Sequence, residues 1–481
     1  MRTRELDRRL RTVSRIALYG SVLLVVVIAG LLVELARGPL LEEQEVTWGD
    51  VDYASLEEVR LLREYVRIDT SEATGSTLDG ARFLAGLLEE AGIPYTLERV
   101  GEKDANLWAV VEGERPGAVV LHHHIDVEDV GDPARWAYPP FAAEIDLPWL
   151  YGRGTFDMKS IGIAQLLAVV ELVRSGIRPE RSVILLATAG EETGSELGTR
   201  WVLREHPELV ERFEVVLTEG GVVEGRSRDE IKYWGTEFAQ KRYQTLVLCD
   251  PSRELLEQLH EDIQQFGALE ERLLLVDEVR SFLAHYAPTR DRADLRQLLE
   301  DPGVILRDRE AFDRFPRYLK ALFRNEVHSF GVRPADDGDG WELPVKIHLL
   351  PGAELHEVRD ELLPPWLFWD VESVLEIVPV ALHGSPVEHP VLEIAAELIS
   401  EHYPGAPVGP LVLPWTATDS RFFRAHGIPS YGFTPFPILT TDVLRVGTHA
   451  ERIDLPGYVE GVAVYRDLLR RLANRQFTSP E

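Results

Sequence analysis

The sequence predicts an α/β fold. A largely parallel sheet is layered with helices, interrupted by an inserted α+β segment and preceded by an apolar helix. Three observations carry this reading. Short apolar runs alternate with amphipathic helical stretches from Ser55 onward. The alternation breaks between about Phe238 and Val374 and then resumes. An uncharged apolar run, Ile16 to Val33, stands near the start. Strands that alternate with helices bury a sheet on both faces, so the pattern predicts layers.

The apolar run comes first. It is about 18 residues, or roughly 27 Å as a helix, enough to cross a bilayer. Arg2, Arg4, Arg8, Arg9, Arg11 and Arg15 precede it, and Glu34, Glu42, Glu43 and Glu45 follow. Positive charge stays cytoplasmic. The expected arrangement is a basic tail at 1–15, a single transmembrane anchor at 16–35 and a stalk at 36–54. Everything after the anchor is then extracytoplasmic. A cleaved signal peptide is the competing reading. The long charged region and the lack of a small-residue cleavage site oppose it.

The first layered part is expected over 55–237. Ser55–Ile68 reads as an amphipathic helix with a serine cap and acids in its first turn, and Gly80–Ala91 as a second helix. Asn106–Val111, Ala118–His122, Val183–Ala187 and Phe213–Leu217 read as strands, and Gly162–Val173 as a closely packed helix. The insertion is expected over 238–375. It holds a strand at Tyr243–Cys249, a charged helix at Glu254–Gln265, a long polar connection, a strand at Val345–Leu350 and a helix at Glu357–Leu363. The layered pattern returns over 376–481 with Val391–His402, Ser430–Phe433 and Leu455–Leu472.

Composition excludes several classes. Of 481 residues, 45% are hydrophobic and 27% charged, which rules out wholesale disorder. Cys249 is the only cysteine, so no disulfide closes within the chain and no multi-cysteine zinc site exists. Any metal must be held by His, Asp and Glu. A formal net charge of −30 argues against nucleic acid as a partner.

Three strand ends carry chemistry. Ala118–His122 runs into His123, His124, Ile125 and Asp126; Val183–Ala187 leads to Glu191 and Glu192; Phe213–Leu217 leads to Glu219-Gly220-Gly221. Sites in open α/β sheets form at the carboxyl ends of strands. A histidine and three glutamates brought to one edge repel unless divalent cations neutralise them. Gly152-Arg153-Gly154-Thr155-Phe156-Asp157-Met158-Lys159 adds a tight loop whose aspartate could bridge two metals, and His449 is the best remaining imidazole.

Taken in order, His124-Ile125-Asp126, Gly152–Lys159, Glu191-Glu192 and Glu219-Gly220-Gly221 resemble the M20 family of metallopeptidases. Trp136–Phe141, Leu349–Gly352, Thr418–Phe422 and Tyr431–Pro435 make the chain most similar to its carboxypeptidase S and N-acyl-amino-acid hydrolase branch. The resemblance implies a dizinc exopeptidase-like domain interrupted by a lid that often mediates dimers. Mixed His/carboxylate sites leave cobalt or manganese open beside zinc. His124 and Glu219 are implied as ligands of one metal, Glu192 and His449 of the other, with Asp157 between them. Asp126 is implied to fix the His124 tautomer and Glu191 to act as general base. Arg421 is a candidate for binding a substrate carboxylate. The implied substrates are small peptides with a free C-terminus or, alternatively, N-acyl amino acids. A non-catalytic descendant is a further alternative.

The chain also departs from the family pattern. Relatives often carry a lid histidine soon after the first lid strand, where this chain has Leu248-Cys249-Asp250-Pro251-Ser252-Arg253. His348 stands where an arginine is common. Glu451 follows His449 by two residues, whereas relatives space that acid by about four. His426 is the rival ligand, although its setting reads as a helix end.

Overall fold

The computed structural model describes residues 51–474 except 228–229, 270–271, 336–339, 357–371, 377–379, 416 and 439. The expected anchor and the helix expected at Glu357–Leu363 lie outside the described residues. Among the described residues no helix is long and apolar enough to cross a membrane.

The chain lays down β1 (Tyr95–Arg99), β2 (Ala105–Val111) and β3 (Arg115–His124), then a hairpin of β4 (Glu144–Asp146) and β5 (Trp149–Tyr151). β6 (Arg181–Thr188), β7 (Phe213–Thr218), β8 (Val222–Gly225) and β9 (Ile231–Gln240) follow. β10 (Arg242–Asp250) opens a smaller sheet, continued by β11 (Glu326–Ser329), β12 (Arg333–Pro334), β13 (Trp341–Leu349) and β14 (Glu372–Glu376). β15 (Val408–Leu413) and β16 (Ser430–Gly432) rejoin the large sheet, and β17 (Arg452–Asp454) pairs with β5.

The large sheet runs β1-β2-β6-β3-β7-β16-β9-β15, with β8 on β9. Its centre is parallel, from β6 through β3 and β7 to β16, and β9 pairs parallel with β15. β1, β2 and β8 add antiparallel pairings, as does the single β16–β9 contact. Side chains of a strand alternate between faces. Val119, Leu121, Val183, Leu185 and Val215 accordingly join the core beneath the helices Glu57–Val66, Lys159–Arg174 and Leu455–Asn474. Val120, Ile184, Leu186 and Val216 join a second core with Val202, Phe422 and Phe423.

The first helix spans Glu57–Val66 and starts at Leu56 with no side-chain cap, so Ser55 does not cap it. The second starts earlier than expected, because Ser76 caps Thr77–Glu90 through the Asp79 N–H. Only part of the expected insertion builds the small sheet. The helix Arg253–Leu269 covers one face of that sheet, with Leu256, Leu259 and Ile263 against Leu246, Leu343 and Ile347. The expected polar connection is helical instead. Val279, Phe282, Tyr286, Phe312 and Phe323 pack into the large core, and Phe282 and Tyr286 meet Tyr233 of β9 edge-on.

Candidate metal centre and active site

β3 ends at His124 because the chain must turn there. The Ile125 N–H is taken by the Thr188 carbonyl, and His124 faces the sheet edge with its ring buried. The ring is oriented by main chain. Nδ1 lies 2.9 Å from the Asp126 carbonyl, while the Asp126 carboxylate stands 3.7 Å away. The expected role of the Asp126 side chain on this ring is therefore corrected. A carbonyl only accepts, so Nδ1 carries the proton and Nε2 faces the carboxylates. Asp126 Oδ2 instead accepts the Glu192 N–H at 2.9 Å and holds the glutamate loop.

That loop follows β6. The Ser195 N–H reaches the Gly190 carbonyl at 2.6 Å, and Ser195 Oγ and Thr199 Oγ1 both donate to buried Asp419. Glu219 leaves β7 through Gly220-Gly221. A Cβ on Gly221 would stand 2.4 Å from the Thr434 nitrogen, so only glycine fits that approach.

His124 Nε2 lies 3.1 Å from Asp157 Oδ1 and 3.7 Å from Glu219 Oε1. Two of the three sets of donor atoms that lie within 4.8 Å of one another among the described residues fall here: His124 with Asp157 and Glu192, and His124 with Glu191 and Glu219. The structure thus brings His124, Asp157, Glu191, Glu192 and Glu219 together. It does not bring His449 into either set. His426 is in neither set; its Nδ1 meets the Phe422 carbonyl at 3.0 Å.

The buried carboxylates oppose one another's charge. Burial raises Glu191 well above the usual carboxylate range, with Glu219 and Asp419 adding to it. Burial and Asp157 push Glu192 up to about 10 and Glu219 up to about 7. Burial opposes charge on His124, but hydrogen bonds to Asp157 and Glu219 hold it well above its usual value. One histidine and four carboxylates, with oxygen and imidazole nitrogen donors only, suit a pair of divalent ions.

Two residues quoted only as motif spacing turn out to build the site. Arg153 and Glu451 form a buried pair at 2.6 Å. Glu451 Oε1 accepts the N–H groups of Phe156 and Asp157 at 3.0 and 3.3 Å. Arg153 also donates to the carbonyls of Asp129 and Gly447, both at 3.0 Å. The carboxylate therefore fixes the Asp157 backbone directly. Its only sequence signal was an acid near the late histidine.

The cluster opens on a cavity of about 870 Å³. Asp157, Glu191, Glu192 and Glu219 line it, joined by Arg421 and by Tyr243 and Lys346 of the smaller sheet. Arg421 stands 3.9 Å from Glu191. It lowers Glu191, against the burial.

Comparisons with known proteins identify the family. The sequence model for peptidase family M20/M25/M40 matches residues 120–471. A probable succinyl-diaminopimelate desuccinylase of Staphylococcus aureus is 33% identical over 144 residues, 30% of this chain and 35% of that protein. Succinyl-diaminopimelate desuccinylase 2 of Ruegeria sp. is 37% identical over 153 residues, 31% of this chain and 37% of that protein. The match thus spans about a third of these relatives' length. The fold is similar to that of the M20 family metallo-carboxypeptidase Sso-CP2 of Sulfolobus solfataricus, with TM-score 0.63, 17% identity and coverage of 86% of this chain and 99% of that one. Human carnosine dipeptidase 1 gives 0.62, 14%, 87% and 97%. The chain belongs to peptidase family M20/M25/M40 and is a metal-dependent hydrolase of the peptidase/amidohydrolase type.

Proposed function

We propose that this chain hydrolyses the amide bond of small substrates that keep a free carboxylate, short peptides first. The convergence of His124, Asp157, Glu191, Glu192 and Glu219 on one cavity carries the reading. His124, Asp157, Glu192 and Glu219 would hold two divalent ions, zinc in the first instance. Bound there, the ions would supply Lewis-acid chemistry: a polarised carbonyl and a water acidic enough to attack near neutral pH.

The residues do the rest. Glu191 accepts a proton from the attacking water on a carboxylate oxygen. As the C–N bond breaks, the same oxygen returns that proton to the leaving nitrogen. Arg421 pairs with the substrate carboxylate and orients the scissile bond toward Glu191. His124 Nδ1 keeps its proton throughout and donates it as a hydrogen bond to the Asp126 carbonyl.

N-acyl amino acids are the second reading. The local sequence similarity to desuccinylases supports it. The apolar run at 16–35 would anchor the chain with its catalytic part on the extracytoplasmic side, and the lid sheet is the expected surface for a homodimer. Protease protection of the tail at 1–15 in sealed vesicles tests the first, and sedimentation of the full chain in detergent the second.

The decisive assay uses the full-length chain in detergent, loaded with zinc. Release of free amino acid is followed from a panel of dipeptides, N-acetyl and N-succinyl amino acids, with Glu191→Gln as control. Turnover lost in the control by about 10²–10⁴-fold, with both metals kept, is the expected result. Near-normal turnover in Glu191→Gln would remove the base assignment.

A further inference from the structure

The third set of donor atoms lies in the smaller sheet. One ring nitrogen each of His328 and His348 and a carboxylate oxygen of Glu326 lie within 4.8 Å of one another. Strand alternation brings them together. Leu246 of β10, Val327 of β11 and Leu343, Val345 and Ile347 of β13 pack under the helix Arg253–Leu269. Glu326 and His328 of β11, Lys346 and His348 of β13 and Tyr243 of β10 therefore take the opposite face. The register sets Glu326 and Tyr243 on either side of His348, and His328 across from Lys346. Lys346 and Tyr243 line the active-site cavity, so the three donors sit on the face of the sheet that turns toward it.

A second observation points to a ligand. His348 is 9% exposed, and its Nδ1 is buried with no hydrogen-bond partner among the described residues. The ring is held between Tyr243 at 4.2 Å and His328 at 4.7 Å. A buried ring nitrogen left unpaired is costly and calls for an explanation. Burial lowers both imidazoles, His348 down to about 3. Both are neutral, the form whose lone pair a metal takes. Glu326 already meets Lys241 Nζ at 2.8 Å and Arg324 Nη2 at 3.0 Å. A carboxylate offers about four lone-pair sites, so two donors leave room for a further partner. The same two cations select the metal. They oppose calcium or magnesium, which bind through oxygen charge, whereas two imidazoles suit zinc, copper, nickel or iron.

We propose that Glu326, His328 and His348 form a binding site for one imidazole-preferring divalent ion. The site shares no residue with the His124 cluster and stands whatever bond that cluster cleaves. The bound ion would tie the edge strand β11 to β13 and fix positive charge beside Lys346 on the cavity wall.

The test counts zinc. The full-length chain in detergent is stripped with a chelator and dialysed against zinc, and bound zinc is measured per chain. His348→Phe keeps a ring between Tyr243 and His328 and removes both nitrogens. Wild type is expected to hold one zinc more than His348→Phe, however many the His124 cluster holds. His328→Gln, at a half-buried position, should show the same deficit and carries the test if the first variant does not fold. The difference of one zinc should persist when both chains also carry Glu219→Gln, because separate sites add independently. Equal zinc in wild type and the folded variants would overturn the proposal. So would a deficit seen only where circular dichroism shows the fold lost, or one that vanishes in the Glu219→Gln background, since the missing ion would then belong to the His124 cluster.

Discussion

The Arg153–Glu451 pair makes the sharpest prediction, because the structure gives it two separable jobs. Both side chains are almost fully enclosed, 3% and 1% exposed, at 2.6 Å. Their Coulomb attraction at that distance is about 6 kcal/mol at an effective dielectric near 20. Desolvation offsets much of it, so the pair adds little beyond well-packed apolar residues. Removing one partner is different. Glu451→Ala leaves a buried guanidinium uncompensated and strips the acceptor from the Phe156 and Asp157 N–H groups. The expected loss is about 3–5 kcal/mol of stability, read as a lower urea midpoint at unchanged slope. Metal retention should fall about 10–100-fold, because the Asp157 loop loses its support. The double variant Arg153→Met/Glu451→Leu should regain most of the stability but not the metal affinity, since Leu cannot accept those N–H bonds. A Glu451→Ala loss under about 1 kcal/mol, near the exposed-pair range, with full metal content would refute the reasoning.

Three further outcomes follow from the same geometry. Burial and Asp157 push Glu219 up to about 7 and Glu192 up to about 10, against an ordinary 4.5. The folded chain then holds protons that the unfolded chain has shed, so this part of the stability declines as pH rises from 4.5 through those values. Zinc added at neutral pH should therefore release protons into weakly buffered solution, and calorimetry in buffers of different ionisation enthalpy counts them; no release would contradict the picture. Asp126→Ala should lower metal retention about 10–100-fold by freeing the Glu192 N–H, yet leave the His124 tautomer intact, as the imidazole NMR signals can show. Arg421→Ala should raise KM for substrates with a free carboxylate more than for their amides. It should also move the acid limb of the pH–rate profile upward, because the cation that lowers Glu191 is gone.

Much of this was legible in the sequence, for identifiable reasons. The strand ends were readable because β6 is buried along its whole length and reads as an apolar run. The ligand cluster was readable because carboxylates at strand ends have few other uses. The helices between 277 and 323 were not, since their apolar sides pack into the large core while their polar sides read as connection. Arg153 and Glu451 are 298 residues apart, and neither declares its partner locally. The orienting group on His124 was misread because sequence reveals side chains, whereas the acceptor is a main-chain carbonyl. His449 is implied by the resemblance as a ligand beside Glu192, and it lies in neither of the donor sets around His124.

The three consecutive histidines show how one strand sorts identical side chains by position alone. His122 turns to one face, where Thr218 and Thr188 meet its nitrogens at 2.9 Å and Phe423 packs edge-on. His123 turns to the other, where its Nδ1 meets Gln165 Oε1 at 3.0 Å and a Cβ on Gly162 would stand 2.8 Å from its ring. Burial lowers them to about 4 and about 3, so both are neutral polar core. His124 shares a face with His122 by alternation but is the last residue of the strand. No strand residue follows it, and the carboxylates of Asp157 and Glu219 lie within reach. Ligand character here is a property of where β3 stops, not of the residue type, which is why a shift of one residue in that strand would exchange a core histidine for the metal site.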